Sequence, residues 1–262
     1  MTDAGRSAVE EGVLRTTGLT KRFGEFTAVD RIDLSVDRGE FRSVIGPNGA
    51  GKTTLFNLIS GAMTPTEGTI TLAGRDVTDL PPAERVAANL ARSFQLTTVF
   101  DGLSVRENLR LAAQATEFER LSTLRQLFAD PGGFDDVNDR TDAVLDDLGL
   151  RSVADARASD LSYGDRRRLE VGLVLATDPE VVLLDEPTAG MSGDETEATI
   201  ELFDDVLADR TVVLVEHNVD LVMRVSDRVT TLSEGRVVAT GTPDEIAADD
   251  RVQEAYLGGY TA

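Results

Sequence analysis

The sequence predicts an α/β fold, a mostly parallel sheet interrupted by a helical insertion, and three observations predict it. Residues 181–184 and 211–215 are continuous apolar runs of strand length, the pattern of parallel strands covered on both faces. Residues 41–45 form a further strand that opens into a glycine-rich loop and then a helical segment. From about residue 96 to residue 160 the pattern changes to helix, which sets a helical segment inside the run of strands.

Taken in order, residues 15–17 and 32–36 read as short strands in a turn-rich start punctuated by Gly24 and Gly39. The helix over residues 52–60 is stopped by Gly61, and residues 69–72 before the Gly74 turn suggest an edge strand. Ser104 and Glu107 have capping-box spacing ahead of a helix over 108–114, and Thr141 is placed to cap a helix over 142–148 before Gly149. Pro131, Gly132 and Gly133 break the helical stretch, and a further helix is expected over 166–176. Residues 229–232, a turn at Glu234 and Gly235, and residues 236–240 read as a hairpin. The expected organisation is one domain over residues 13–262 after a disordered start over 1–12. It divides into a core from 13–96 and 170–245, a helical subdomain over 97–169 and a tail over 246–262.

A formal net charge of −21 opposes binding to nucleic acid, whose phosphate backbone demands a basic face. Anionic lipid is repelled as well, so membrane attachment would run through a protein partner. No apolar run approaches the about 18–20 residues of a membrane-spanning helix. The polar start lacks the basic and apolar regions of a signal peptide, and without cysteine no disulfide can form, so the expected compartment is the cytoplasm. Lys21 and Lys52 are the only lysines against a large excess of arginine, an acidic composition that resembles proteins of salt-loving microbes.

Gly46, Pro47, Asn48, Gly49, Ala50, Gly51, Lys52 and Thr53 fit the P-loop pattern, followed by Thr54 and set between strand and helix as its mechanism requires. Such a loop curls backbone amides around a phosphate, and the helix N-terminus adds its positive end. Lys52 is expected to neutralise β- and γ-phosphate charge, and Thr53 to set its hydroxyl on Mg²⁺. Asp185 and Glu186 follow the apolar run 181–184, at the carboxyl end of a buried strand, where ligands of open α/β sheets bind. Asp185 would hold the metal and Glu186 would polarise the attacking water. His217, the only histidine, ends the next strand within reach of the γ-phosphate. Ser162 and Asp165 have capping-box spacing, which by itself reads as an ordinary helix start. With the Gly164 amide, a free Ser162 hydroxyl there would form an anion site for a phosphate presented by another subunit.

At these residues the chain resembles the ABC ATPase family, over about residues 13–258. Residues 46–53 match its Walker A motif, 181–186 its Walker B, 161–165 its signature, Gln95 its Q-loop glutamine and His217 its switch histidine. The resemblance implies a P-loop NTPase core with an N-terminal antiparallel β part and a helical subdomain. It implies two ATP molecules with Mg²⁺ between two head-to-tail ATPase subunits, each site completed by the partner's Ser162 and Gly164. Gln95 would contact the metal and report nucleotide state to the helical region. Phe23 falls where the family stacks an aromatic ring on adenine, and a core phenylalanine is the competing assignment. Tyr163 and Asp165 stand where the commonest signature has glycine and glutamine, and Ser192 stands where many members place aspartate.

Among subfamilies the chain is most similar to ATP-binding subunits of branched-chain amino-acid importers. Residues 45–57, Arg92 to Gln95, the Leu-Ser-Tyr-Gly signature, the helical insertion around 117–140 and the closing Tyr256-Leu257-Gly258 carry that likeness. Urea importers use very similar ATPases. The partners implied are a second ATPase subunit, transmembrane permease subunits and, indirectly, an extracellular solute-binding protein, at the cytoplasmic face of the membrane. A non-transport ABC ATPase is the rival assignment. No Asn-Lys-x-Asp guanine motif is present, which opposes a GTPase.

Overall fold

The computed structural model describes residues 12–93, 99–120 and 135–257. Gln95, the Pro131–Gly133 break and most of the expected disordered start fall outside those residues, as does part of the insertion around 117–140.

Two sheets form the core. The first is antiparallel, in the order β2-β1-β4-β5, from β1 (Leu14–Phe23), β2 (Phe26–Val36), β4 (Glu67–Leu72) and β5 (Arg75–Asp76). The second has the order β10-β9-β3-β8-β7-β6, from β3 (Phe41–Ile45), β6 (Leu90–Ser93), β7 (Val181–Asp185), β8 (Thr211–Val215), β9 (Arg228–Ser233) and β10 (Arg236–Gly241). All of its pairings are parallel except the β9–β10 hairpin. Strands β1 and β2 are longer than the pattern suggests. Gly18, at φ 56, sits at a register shift within β1 and does not end it, and Gly24 closes a two-residue hairpin turn between Phe23 and Phe26.

The apolar runs of the central strands divide between two cores by the period-two rule. Val182, Leu184, Val212 and Leu214 face one core, and Val181, Leu183, Val213 and Val215 face the other. The second core is closed by the antiparallel sheet and by α1 (Lys52–Ile59), through Leu55, Phe56, Leu58 and Ile59. The C-terminal end of α1 is held by Arg85 of α2 (Pro82–Ala87), which is buried and donates to the carbonyls of Leu58 and Ile59, both at 2.6 Å. A cation at that end of the helix also complements its dipole.

The first core is covered by α3 (Val105–Arg120), α4 (Asp135–Asp147) and α5 (Tyr163–Leu175), through Leu109, Leu145 and Leu169, and also by Ile200, Phe203 and Leu221 of later helices. The Ser104–Glu107 capping box forms, one turn ahead of the expected helix start. Thr141 corrects the sequence expectation: it lies inside α4, buried, and its hydroxyl donates to the Val137 carbonyl at 2.7 Å. A threonine can bond the carbonyl four residues back, so the residue that suggests a cap is here satisfied by its own helix. The chain continues through α6 (Gly193–Val206), α7 (Val219–Val225), α8 (Pro243–Ala247) and α9 (Asp250–Leu257). Ser192 forms a capping box with Glu195 at the start of α6.

Candidate active site

The loop over residues 46–51 joins β3 to α1 with no side chain capping the helix. Its glycines are required by close approach. A Cβ at Gly46, φ 151, would lie 2.2 Å from the Leu232 carbonyl oxygen, and one at Gly51, φ 101, would lie 2.5 Å from that of Ala28. Pressed against β9 and β2, the loop turns its tip outward. Asn48 and Gly49 are exposed, Pro47 is half-buried and Ala50 is buried. Lys52 is buried, and its ammonium donates to the carbonyls of Gly46 at 2.7 Å and Pro47 at 3.1 Å. Burial pushes the Lys52 ammonium below the usual lysine range, and the Glu186 carboxylate opposes that shift. Thr53 is exposed and Thr54 half-buried at the first turn of α1.

Parallel pairing of β7 with β8 brings the second half of the site together. Asp185 lies opposite Val215, and the Glu186 amide donates to the Val215 carbonyl at 2.8 Å. Glu186 has φ 47, a left-handed turn that bends the chain out of the strand. Two residues beyond Val215, His217 sets its Nε2 2.9 Å from Glu186 Oε1. The ring is half-exposed and the carboxylate about a quarter exposed, so the pair stands at the surface of the cleft. A carboxylate hydrogen-bonded to an imidazole beside a phosphate loop can accept a proton from water.

Asp185 is paired with Arg92, an ion pair that no local pattern of residues signals. Arg92 Nη2 lies 2.6 Å from Asp185 Oδ2, while Nη1 donates to Asn57 Oδ1 at 2.8 Å and to Ser60 Oγ at 3.0 Å. The guanidinium thus links β6, the P-loop helix and the acid at the end of β7. The donor set of Thr53 hydroxyl and Asp185 carboxylate suits a hard cation that keeps phosphate and water among its ligands, as Mg²⁺ does. No cluster of three or more metal-binding side chains occurs among the described residues.

The signature segment leads into α5. Ser162 caps α5, and here the structure corrects the expected free hydroxyl. Its Oγ donates to Asp165 Oδ2 at 2.7 Å and accepts from the Asp165 amide at 3.2 Å. Asp165, where the commonest signature has glutamine, is what engages it. Ser162 and Gly164 are exposed. A cavity of about 570 Å³ lies between α5 and β7, lined by Tyr163, Val174, Asp185, Glu186 and Phe203 among others, and it includes no P-loop residue. Phe23 is 48% exposed, which excludes a core role. Its ring lies 5.4 Å from Lys21 Nζ, and its hairpin partner Phe26, also missed in the sequence, is 65% exposed.

The model of the family described as ABC transporter matches residues 29–189, more than half of the chain. The chain belongs to the ABC transporter ATP-binding family. It is an ABC ATPase of mixed α/β fold, as the resemblance implied. A second family model, described as branched-chain amino acid ATP-binding cassette transporter, matches residues 236–262 of the cassette. The high-affinity branched-chain amino acid transport ATP-binding protein LivG of Salmonella typhimurium is 39% identical over 253 residues, covering 95% of this chain and 99% of the relative. The corresponding protein BraF of Pseudomonas aeruginosa is 36% identical, covering 94% and 98%. Among solved structures, the ADP conformation of MJ1267, an ATP-binding cassette of an ABC transporter, superposes with a TM-score of 0.79 at 30% identity, covering 94% of this chain and 98% of that one. No helix among the described residues is long and apolar enough to cross a membrane.

Proposed function

We propose that this cassette is the ATP-hydrolysing subunit of an importer for branched-chain amino acids. It would work as a head-to-tail dimer at the cytoplasmic face of the membrane, held there by permease subunits. The solute assignment is supported by near full-length similarity to LivG and BraF and by the match over residues 236–262.

The observation that carries the chemistry is the 2.9 Å contact between His217, just past β8 beside the P-loop strand β3, and Glu186, just past β7 on the far side of β8. In this reading Lys52 leaves the Gly46 and Pro47 carbonyls for the β- and γ-phosphates, where loop amides over residues 46–53 and Thr54 stabilise the transferring phosphoryl group. Glu186 takes the proton of the attacking water, and His217 orients that carboxylate and the γ-phosphate. Thr53, Gln95 and Asp185 would hold Mg²⁺, which supplies charge neutralisation at the phosphates. Phe23 presents its exposed face to adenine, and the partner's signature segment closes over the γ-phosphate with its exposed Gly164 amide. Because Asp165 holds the Ser162 hydroxyl, the hydroxyl must rotate from that carboxylate to donate to a phosphate.

Glu186→Gln tests the reading. The variant should bind ATP, accumulate as an ATP-bound dimer on size exclusion and turn over at a few per cent of the wild-type rate or less. Hydrolysis at the wild-type rate would remove Glu186 as the base.

A further inference from the structure

Glu216 closes β8 and is 4% exposed, yet it pairs with no lysine, arginine or histidine among the described residues. A buried carboxylate is costly unless its lone pairs are taken. Here four donors take them. Oε1 accepts from the Thr188 amide at 3.0 Å and from the Thr188 hydroxyl. Oε2 accepts from the His217 amide at 2.7 Å and the Asn218 amide at 3.2 Å.

The two oxygens therefore grip two different loops. Thr188 lies two residues beyond Glu186, in the loop that leaves β7. His217 and Asn218 lie in the loop that leaves β8, where Asn218 goes on to cap α7 by accepting from the Leu221 amide at 3.2 Å. The first loop is pinned from its other side, because Arg167 of α5 donates to the Pro187 carbonyl. The His217–Glu186 contact spans the same two loops. With one loop fixed by α5 and the other by α7, Glu216 sets the distance between them. Only a carboxylate can do this with four donors. A glutamine offers one oxygen, and its NH₂ would face either Thr188 or two backbone N–H groups.

We propose that Glu216 is a positioning residue for hydrolysis, acting through His217 by holding the His217 loop in register with the loop that carries Glu186. The proposal rests on the reading of His217 and Glu186 given above. A misplacement of about 1 Å can cost on the order of a hundredfold in rate, and since α7 still holds part of the loop, a smaller loss is expected on removing the brace.

The test is a double-mutant cycle on the full chain, measuring kcat, KM for ATP and melting temperature for wild type, Glu216→Gln, His217→Ala and the double variant. Glu216→Gln should lower kcat about tenfold while KM stays within about twofold, and should lower the kcat of His217→Ala by less than about twofold. If Glu216→Gln slows both backgrounds by the same factor, or slows neither, the brace is structural and the proposal fails. Should Glu216→Gln not fold, Thr188→Val removes only the hydroxyl bond. Its few-fold loss in kcat should vanish in the His217→Ala background, and an equal loss in both would overturn the proposal. A His217→Ala variant with full activity would sink the reading of His217 and the brace with it, whereas a slow one with additive Glu216→Gln would sink the brace alone.

Discussion

Replacing Arg92 by methionine isolates the charge that holds Asp185. Methionine keeps most of the aliphatic stem and its packing near Phe56, whose ring centre lies 5.9 Å from the guanidinium. What it removes is the cation 2.6 Å from a carboxylate only 13% exposed. Stranding one member of a buried pair costs about 3–5 kcal/mol, and because this pair opens on a cleft the lower figure applies, about 3 kcal/mol. In a chain of this length each kcal/mol moves Tm by about 2–4 °C, so Arg92→Met should melt about 6–12 °C below wild type. Adding Asp185→Asn removes the stranded charge, and the double variant should regain more than half of the loss. Mg-ATP supplies a replacement cation at Asp185, so it should raise the melting temperature of Arg92→Met by more than that of wild type, whereas ATP with a chelator should not. Calorimetry of the three proteins with and without nucleotide decides the matter. A loss below about 2 °C, or a double variant less stable than Arg92→Met, would refute the argument.

Three further outcomes are expected. Gly46→Ala drives a Cβ to 2.2 Å from a backbone oxygen of β9. It should cost about 2–4 kcal/mol and abolish ATP binding by fluorescence titration. The proton on Lys52 is held less tightly than the ordinary value of 10.5. Its charge is therefore lost first as pH rises, and ATP affinity should fall between neutrality and pH 10.5 while Lys52→Arg stays flat over that range. The stability sign runs the other way. The folded chain disfavours the protonated amine, so this cost is present at neutral pH and is relieved as pH rises through the depressed value. Phe23→Ala should raise KM for ATP about tenfold with kcat retained, and an unchanged KM would remove the ring from the base site.

The parts of the fold written in local pattern were readable in the sequence. The runs at 181–184 and 212–215 alternate between two cores and so had to be apolar throughout. Gly46 and Gly51 stand where backbone meets backbone, and a motif of glycines at fixed spacing records that. Misreadings arose where one local signal serves two geometries. Thr141 can cap a helix or bond within one, and the strand read over 15–17 runs on to Phe23 through an irregular register. The partners of Asp185 and Glu216 were not readable because Arg92 is 93 residues from Asp185 and Thr188 is 28 from Glu216. No periodicity marks such pairs, which exist only once β6, β7 and β8 lie side by side. The engagement of Ser162 by Asp165 was within reach, since capping-box spacing was visible there.

The scarcity of lysine also makes the chain its own reporter. Lys21 and Lys52 are the only side-chain amines. Lys21 sits beside the Phe23 ring with its ammonium donating to the Thr64 carbonyl at 2.6 Å, and Lys52 lies inside the phosphate loop with its basicity depressed. An amine whose proton is weakly held is the better nucleophile near neutrality, so a small acylating reagent able to enter the loop should label Lys52 until a triphosphate shields it. Mass spectrometry of the peptide that carries Lys52 then becomes a gauge of occupancy, with no engineered label.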